Sequence, residues 1–97
     1  MNGSFNISIS TPIGLQKGVV TFVDENGILS GSIRAMGNTN FFKKGKMVGN
    51  TFEFSGILDT GLFKFAYTTK GTIAGNALKA TVTTNSGTFQ MNGTRAA

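Results

Sequence analysis

Apolar and polar residues alternate with a period of two along most of the chain, and glycine and asparagine interrupt the alternation at regular intervals. Phe5, Ile7 and Ile9 alternate with Asn6, Ser8 and Ser10, and Leu29, Gly31, Ile33 and Ala35 alternate with Ser30, Ser32 and Arg34. The same pattern puts Phe52 with Phe54 on one face, and likewise Phe63, Phe65 and Tyr67, then Leu78, Ala80 and Val82, then Phe89 and Met91. Successive side chains of an extended chain point to opposite sides, so each run predicts a strand with one buried face. No window carries a helical stripe.

Turn signals fall at Thr11-Pro12-Ile13-Gly14, Glu25-Asn26-Gly27, Met36-Gly37-Asn38, Val48-Gly49-Asn50, Asp59-Thr60-Gly61, Ala74-Gly75-Asn76 and Asn85-Ser86-Gly87. Glycine and asparagine tolerate the positive φ that tight hairpins need. Such turns, roughly 10–15 residues apart, leave no room for crossover helices. The expectation is an all-β protein: a single eight-stranded antiparallel up-and-down β-barrel over residues 1–97. Closure removes the edge strands that a sandwich would leave, and a Greek key would need a long return connection that is not seen.

An internal repeat aligns Lys44-Gly45-Lys46-Met47-Val48-Gly49-Asn50-Thr51-Phe52 with Lys70-Gly71-Thr72-Ile73-Ala74-Gly75-Asn76-Ala77-Leu78. Each copy has a glycine inside the strand, four residues before a Gly-Asn hairpin. Glycine within a strand marks a bulge or a sharp coil, as closing a small barrel demands.

Composition narrows the chemistry. Ninety-seven residues suit one domain, and nine phenylalanines supply bulk to a chain that is only 39% apolar. Cysteine and histidine are both absent, which excludes disulfides, thiolate or imidazole metal sites and histidine-based triads. Of the four carboxylates, Asp24, Glu25 and Asp59 fall in or beside turns and Glu53 on an outward face, so no pair flanks a cleft. No serine sits in a G-x-S-x-G elbow. No catalytic residue, cofactor or metal is expected, and the protein is read as a non-enzyme. Residues 1–16 lack a basic start and a continuous apolar run, so a cytoplasmic location is expected. Outward positions are Ser, Thr, Asn and Lys, unlike the apolar exterior of an outer-membrane barrel, so no membrane partner is expected.

The most pointed local feature is Phe41-Phe42-Lys43-Lys44-Gly45-Lys46, within a net charge of +5. Aromatic and basic residues together suit nucleic acid, but only one strand is basic, and packed phenylalanines under a lysine rim are the preferred reading. Carrying the repeat through matches Phe41 to Tyr67 and Lys43 to Thr69. Phe41 would then point inward, with Lys43 near one mouth as an anchor for an acidic ligand group; a bulge at Gly45 would instead turn Lys43 to solvent. The candidate ligand-binding residues are Phe41, Lys43, Phe65 and Tyr67, the last a phenol that needs a hydrogen-bond partner if buried.

Gly3-Ser4-Phe5, the run Asp24-Glu25-Asn26-Gly27-Ile28-Leu29-Ser30-Gly31-Ser32 and the ending Gly87-Thr88-Phe89-Gln90-Met91-Asn92-Gly93-Thr94-Arg95 resemble calycin-type barrels of the avidin and lipocalin kind. They also resemble uncharacterised bacterial β-domains with repeated Gly-Asn hairpins. The resemblance implies a barrel whose closing-strand arginine covers the bottom near the first-strand aromatic. Avidin's pocket is walled by tryptophan; this chain has none, and Phe5 stands at the aromatic position, so biotin binding is not expected.

Three functions remain open. The barrel could hold a small apolar or amphipathic ligand, act as an accessory or protein-interaction domain with a phenylalanine-filled core, or bind nucleic acid through residues 41–46, the reading held unlikely. Outward apolar residues such as Ile28 or Leu62 suit a homodimer.

Overall fold

The computed structural model describes residues 3–11, 14–35, 37–59 and 64–96. Eight strands follow one another: β1 (Gly3–Thr11), β2 (Gly14–Glu25), β3 (Ile28–Ala35), β4 (Asn38–Val48), β5 (Thr51–Asp59), β6 (Lys64–Ala74), β7 (Ala77–Thr84) and β8 (Gly87–Arg95). Each pairs antiparallel with the next, and β8 pairs back to β1, closing an up-and-down barrel in sequence order. The β2–β3, β4–β5, β6–β7 and β7–β8 hairpins, whose turn residues are all described, fall where turn chemistry places them. Pro12, Ile13, Met36, Thr60, Gly61, Leu62 and Phe63 lie outside the described residues, so the inward expectation for Phe63 and the outward one for Leu62 are not addressed by it.

One end is sealed. At the β2–β3 hairpin Asn26 and Gly27 both have positive φ, 58° and 85°, the conformation that matches a two-residue turn to strand twist. Backbone bonds then tie each hairpin of this end to the next: Met47 N donates to Gly27 O at 3.0 Å, Ile73 N to Asn50 O at 2.9 Å, and Arg95 N to Asn76 O at 2.8 Å. Ala96 N completes the ring by donating to Ser4 O at 2.8 Å. The internal repeat has its physical cause here, because Met47 and Asn50 occupy the same places in this ring as Ile73 and Asn76.

Inside the sealed end, phenylalanines from four strands fill the barrel. The Phe22 ring lies 5.2–6.1 Å from those of Phe5, Phe42, Phe52 and Phe54, tilted or edge-on to each. Phe42 stacks on Phe54 at 3.9 Å. The Arg95 guanidinium sits 4.7 Å from the Phe5 ring centre, within cation–π range, so the closing-strand arginine covers the first-strand aromatic.

The β3–β4 ladder carries the fold's main irregularity. Leu29 pairs with Gly45 and Gly31 with Phe42, so Ser30 faces two residues, Lys43 and Lys44. Lys44 takes up the extra residue with a φ of 64°. One inserted residue flips every side chain on one side of it to the opposite face. The inward expectation for Phe41 is therefore corrected: Phe42 enters the core at 4% exposed, while Phe41 points out at 79%. Lys43 is also exposed, which removes it as an interior anchor for an acidic group.

The next ladder is short. Strands β4 and β5 are paired only from Lys46↔Glu53 to Val48↔Thr51. Near the far end the Asn40 side chain bridges to the β5 backbone, its Nδ2 donating to Asp59 O and its Oδ1 accepting from Asp59 N, both at 3.1 Å.

Candidate functional site

The opposite half of the barrel is not filled. A cavity of about 90 Å³ lies toward the end carrying the β1–β2, β3–β4, β5–β6 and β7–β8 connections. Its walls are Ile9, Ile33, Leu58, Phe65, Val82 and Met91, with Ala35 and Phe89 beside them, and Thr11, Gln16 and Thr84 contribute from the ends of their strands. These are inward positions of strands that alternate correctly. The cavity exists because large residues are concentrated toward the sealed end, while Ala35, Thr69 and Val82 are too small to meet across the barrel.

Tyr67 marks the boundary between the filled and unfilled halves. Its ring packs edge-on against Phe54 at 6.0 Å. On the neighbouring strand it lies over Gly56, its cross-strand partner, where an added Cβ would meet the phenol oxygen at 3.2 Å. Gly56 thus supplies the space in which the ring lies. Two residues further along β6, Thr69 is fully buried, opposite Phe54.

The Tyr67 phenol and the Thr69 hydroxyl are both buried with no hydrogen-bond partner among the described residues. Leaving a buried donor unsatisfied costs about 1–3 kcal/mol, and both hydroxyls belong to residues that line the same cavity. No lysine, arginine, aspartate or glutamate lines it among the described residues. Its open surface is apolar, and the Tyr67 and Thr69 hydroxyls are closed off behind it.

Burial pushes the Tyr67 phenol up to about 12, because no nearby dipole or cation compensates the loss of water around a phenolate. An unfolded tyrosine ionises near pH ~10. Below that pH both states keep the proton and folding is unaffected; between about 10 and 12 the unfolded chain releases it first, so stability falls as pH rises. The loss is on the order of 2–3 kcal/mol once the upper value is passed. Tyr67 is the single tyrosine and tryptophan is absent, so phenolate absorbance reports this residue alone. A spectrophotometric titration is expected to show ionisation near 12 in the folded protein and near ~10 in urea; coincident curves would place the phenol in water.

Of the four residues marked from sequence, Phe65 and Tyr67 meet at the cavity, while Phe41 is turned to the exterior and Lys43 is exposed. Thr69, Gln16 and Thr84 were not marked. Thr69 was detectable as a polar residue two positions after Tyr67 on the same inward face. The rim residues carry no signal beyond their nearness to turns.

Compared with known protein families, curated proteins and solved structures, the chain matches none of them.

Proposed function

We propose that the protein is a non-enzymatic carrier or sensor of a small, uncharged, mainly apolar molecule. The observation that carries this reading is an interior cavity whose open surface is apolar, set in the half of the barrel that the phenylalanine cluster leaves unfilled. A carboxylate would lose its hydration without gaining a cation, since no basic side chain lines the cavity among the described residues. The ligand class therefore narrows from apolar or amphipathic to neutral.

Size sets a second limit. One water takes up about 30 Å³ of liquid, so the cavity of about 90 Å³ encloses a head group and a few carbons. Longer molecules would extend past Thr11, Gln16 and Thr84. The general likeness to ligand-holding calycin barrels agrees with this use of the interior and supports nothing about biotin.

Native mass spectrometry of protein taken from the cells that make it tests the proposal. The expected spectrum holds a small neutral adduct that is lost on denaturation. The adduct is also expected to be absent from Ala35→Leu, which extends a larger side chain into the cavity from β3. A spectrum of bare protein, or an adduct retained in Ala35→Leu, would contradict it.

A further inference from the structure

Phe41 stands on the outer face of β4, 79% exposed, directly across from Ser32 on β3. Cations surround it by register. Arg34 lies two residues further along β3, opposite Thr39, and Lys43, Lys44 and Lys46 follow Phe41 on β4, all exposed. A shallow groove of about 430 Å³ opens beside them, lined by Lys17 and Arg34 with Gly18, Val19, Ala35 and Gly37. Five of the nine basic residues thus project from three adjacent strands, with the acidic residues of those strands, Asp24 and Glu25, confined to the last two positions of β2.

We infer that this outer face of β2–β4 binds single-stranded nucleic acid, with a base stacked on Phe41 and phosphates held by Arg34 and Lys17 on one side and by the β4 lysines on the other. The bulge is what makes the site: it turns Phe41 outward and places Lys43 and Lys44 together opposite Ser30. An exposed ring between cations on a sheet is the arrangement by which barrel and sheet proteins hold unpaired bases. A duplex hides the base faces that such a ring needs. A second copy of this chain is disfavoured, because a symmetric contact would set the β4 lysines against themselves. The neighbours of Phe41 on this face, Thr21, Ser32 and Thr39, carry hydroxyls, which suit base edges and phosphates better than lipid chains.

Fluorescence anisotropy with labelled oligothymidylate and oligouridylate of roughly 12 nucleotides tests this, a length within the span such barrels cover. Binding through about four phosphates should weaken roughly 50-fold between about 50 and 200 mM salt. Phe41→Ala should weaken binding roughly 10-fold or more, the usual loss of one base–aromatic stack. The double variant Arg34→Glu with Lys43→Glu should flatten the salt dependence, while Lys79→Glu, on β7 away from this face, should leave binding near that of the parent. The two oligomers separate a preference for DNA from one for RNA. Phe41 has no buried contact to lose, so circular dichroism should match the parent. No binding at the lower salt, equal binding by Phe41→Ala, or equal losses in Lys79→Glu would overturn the inference. So would Phe41-dependent binding to phosphatidylserine vesicles without oligonucleotide binding.

Discussion

Gly31→Ala is expected to leave the barrel marginal or unfolded. A Cβ at this position would stand 1.8 Å from the Thr21 carbonyl oxygen, 2.9 Å from its carbon and 3.0 Å from Cζ of Phe42. The first two are backbone atoms of the paired strand and cannot swing aside as a side chain would. The φ of 156° also lies in territory that glycine occupies more readily than alanine. Overpacking costs about 1–3 kcal/mol and an unfavourable backbone conformation about 1–3 more, so the sum is roughly 4. A domain of this size is stable by only about 5–15 kcal/mol. Gly49→Ala is the matched control: φ is 61°, but an added Cβ would touch nothing, and the cost should stay near ~1–2 kcal/mol. Urea unfolding followed by Tyr67 fluorescence should rank Gly31→Ala far below Gly49→Ala. Equal midpoints would mean that the strand beside the bulge can relax away from β2.

Phe22→Ala is expected to cost about 3–5 kcal/mol, in the range for a large aromatic removed from a tight core. Phe22 is 1% exposed and is, among the described residues, the one ring in contact with Phe5, Phe42, Phe52 and Phe54 together, so its loss leaves four neighbours facing a void. The surrounding strands are held in a closed ladder and cannot collapse far into that space. Phe41→Ala, the same chemical change at an exposed ring, should stay within about 0.5 kcal/mol. Chemical denaturation of the two variants separates a core organised around Phe22 from one in which any phenylalanine contributes alike. Similar losses at both sites would contradict the phase set by the β4 bulge.

Much of this architecture was legible because each level of the sequence agreed. Gly-Asn hairpins, strict alternation in β1, β3, β5, β7 and β8, and the 44–52 and 70–78 repeat all point to one closed meander. The misreading came where the signal is degenerate. Phe41 and Phe42 are both apolar, so alternation is silent just where the extra residue enters, and a repeat carried through it assigns the wrong face. Phe22 was overlooked for a related reason. The run Val19-Val20-Thr21-Phe22-Val23 is apolar on both faces, although counting back from Asn26-Gly27 through the Asp24↔Leu29 pair fixes Phe22 inward. The cavity could not be read from the sequence at all. It depends on how far side chains from opposite strands reach across the barrel, which composition does not encode. Nine phenylalanines were compatible with a filled interior or an open one, and their placement makes one half of each kind.

The two halves suggest a division of labour. The sealed end, with its ring of hairpin bonds and Arg95 over Phe5, provides the rigidity that holds Tyr67 and Thr69 against the cavity. Met91 is 2% exposed on the cavity wall, whereas Met47 lies on β4 two residues from the sealed-end β4–β5 hairpin, which makes the two methyl groups internal probe and control. The most direct measurement is a methionine-methyl NMR titration with 1-butanol and, separately, with butyrate at neutral pH. 1-Butanol should shift Met91 and leave Met47 in place, with a dissociation constant on the order of 1 mM, about −4 kcal/mol. Butyrate should bind at least roughly 100-fold more weakly, because its charge would be buried without a partner. A Met91 signal unmoved by 1-butanol, or moved equally by butyrate, would contradict a cavity built for a small neutral molecule.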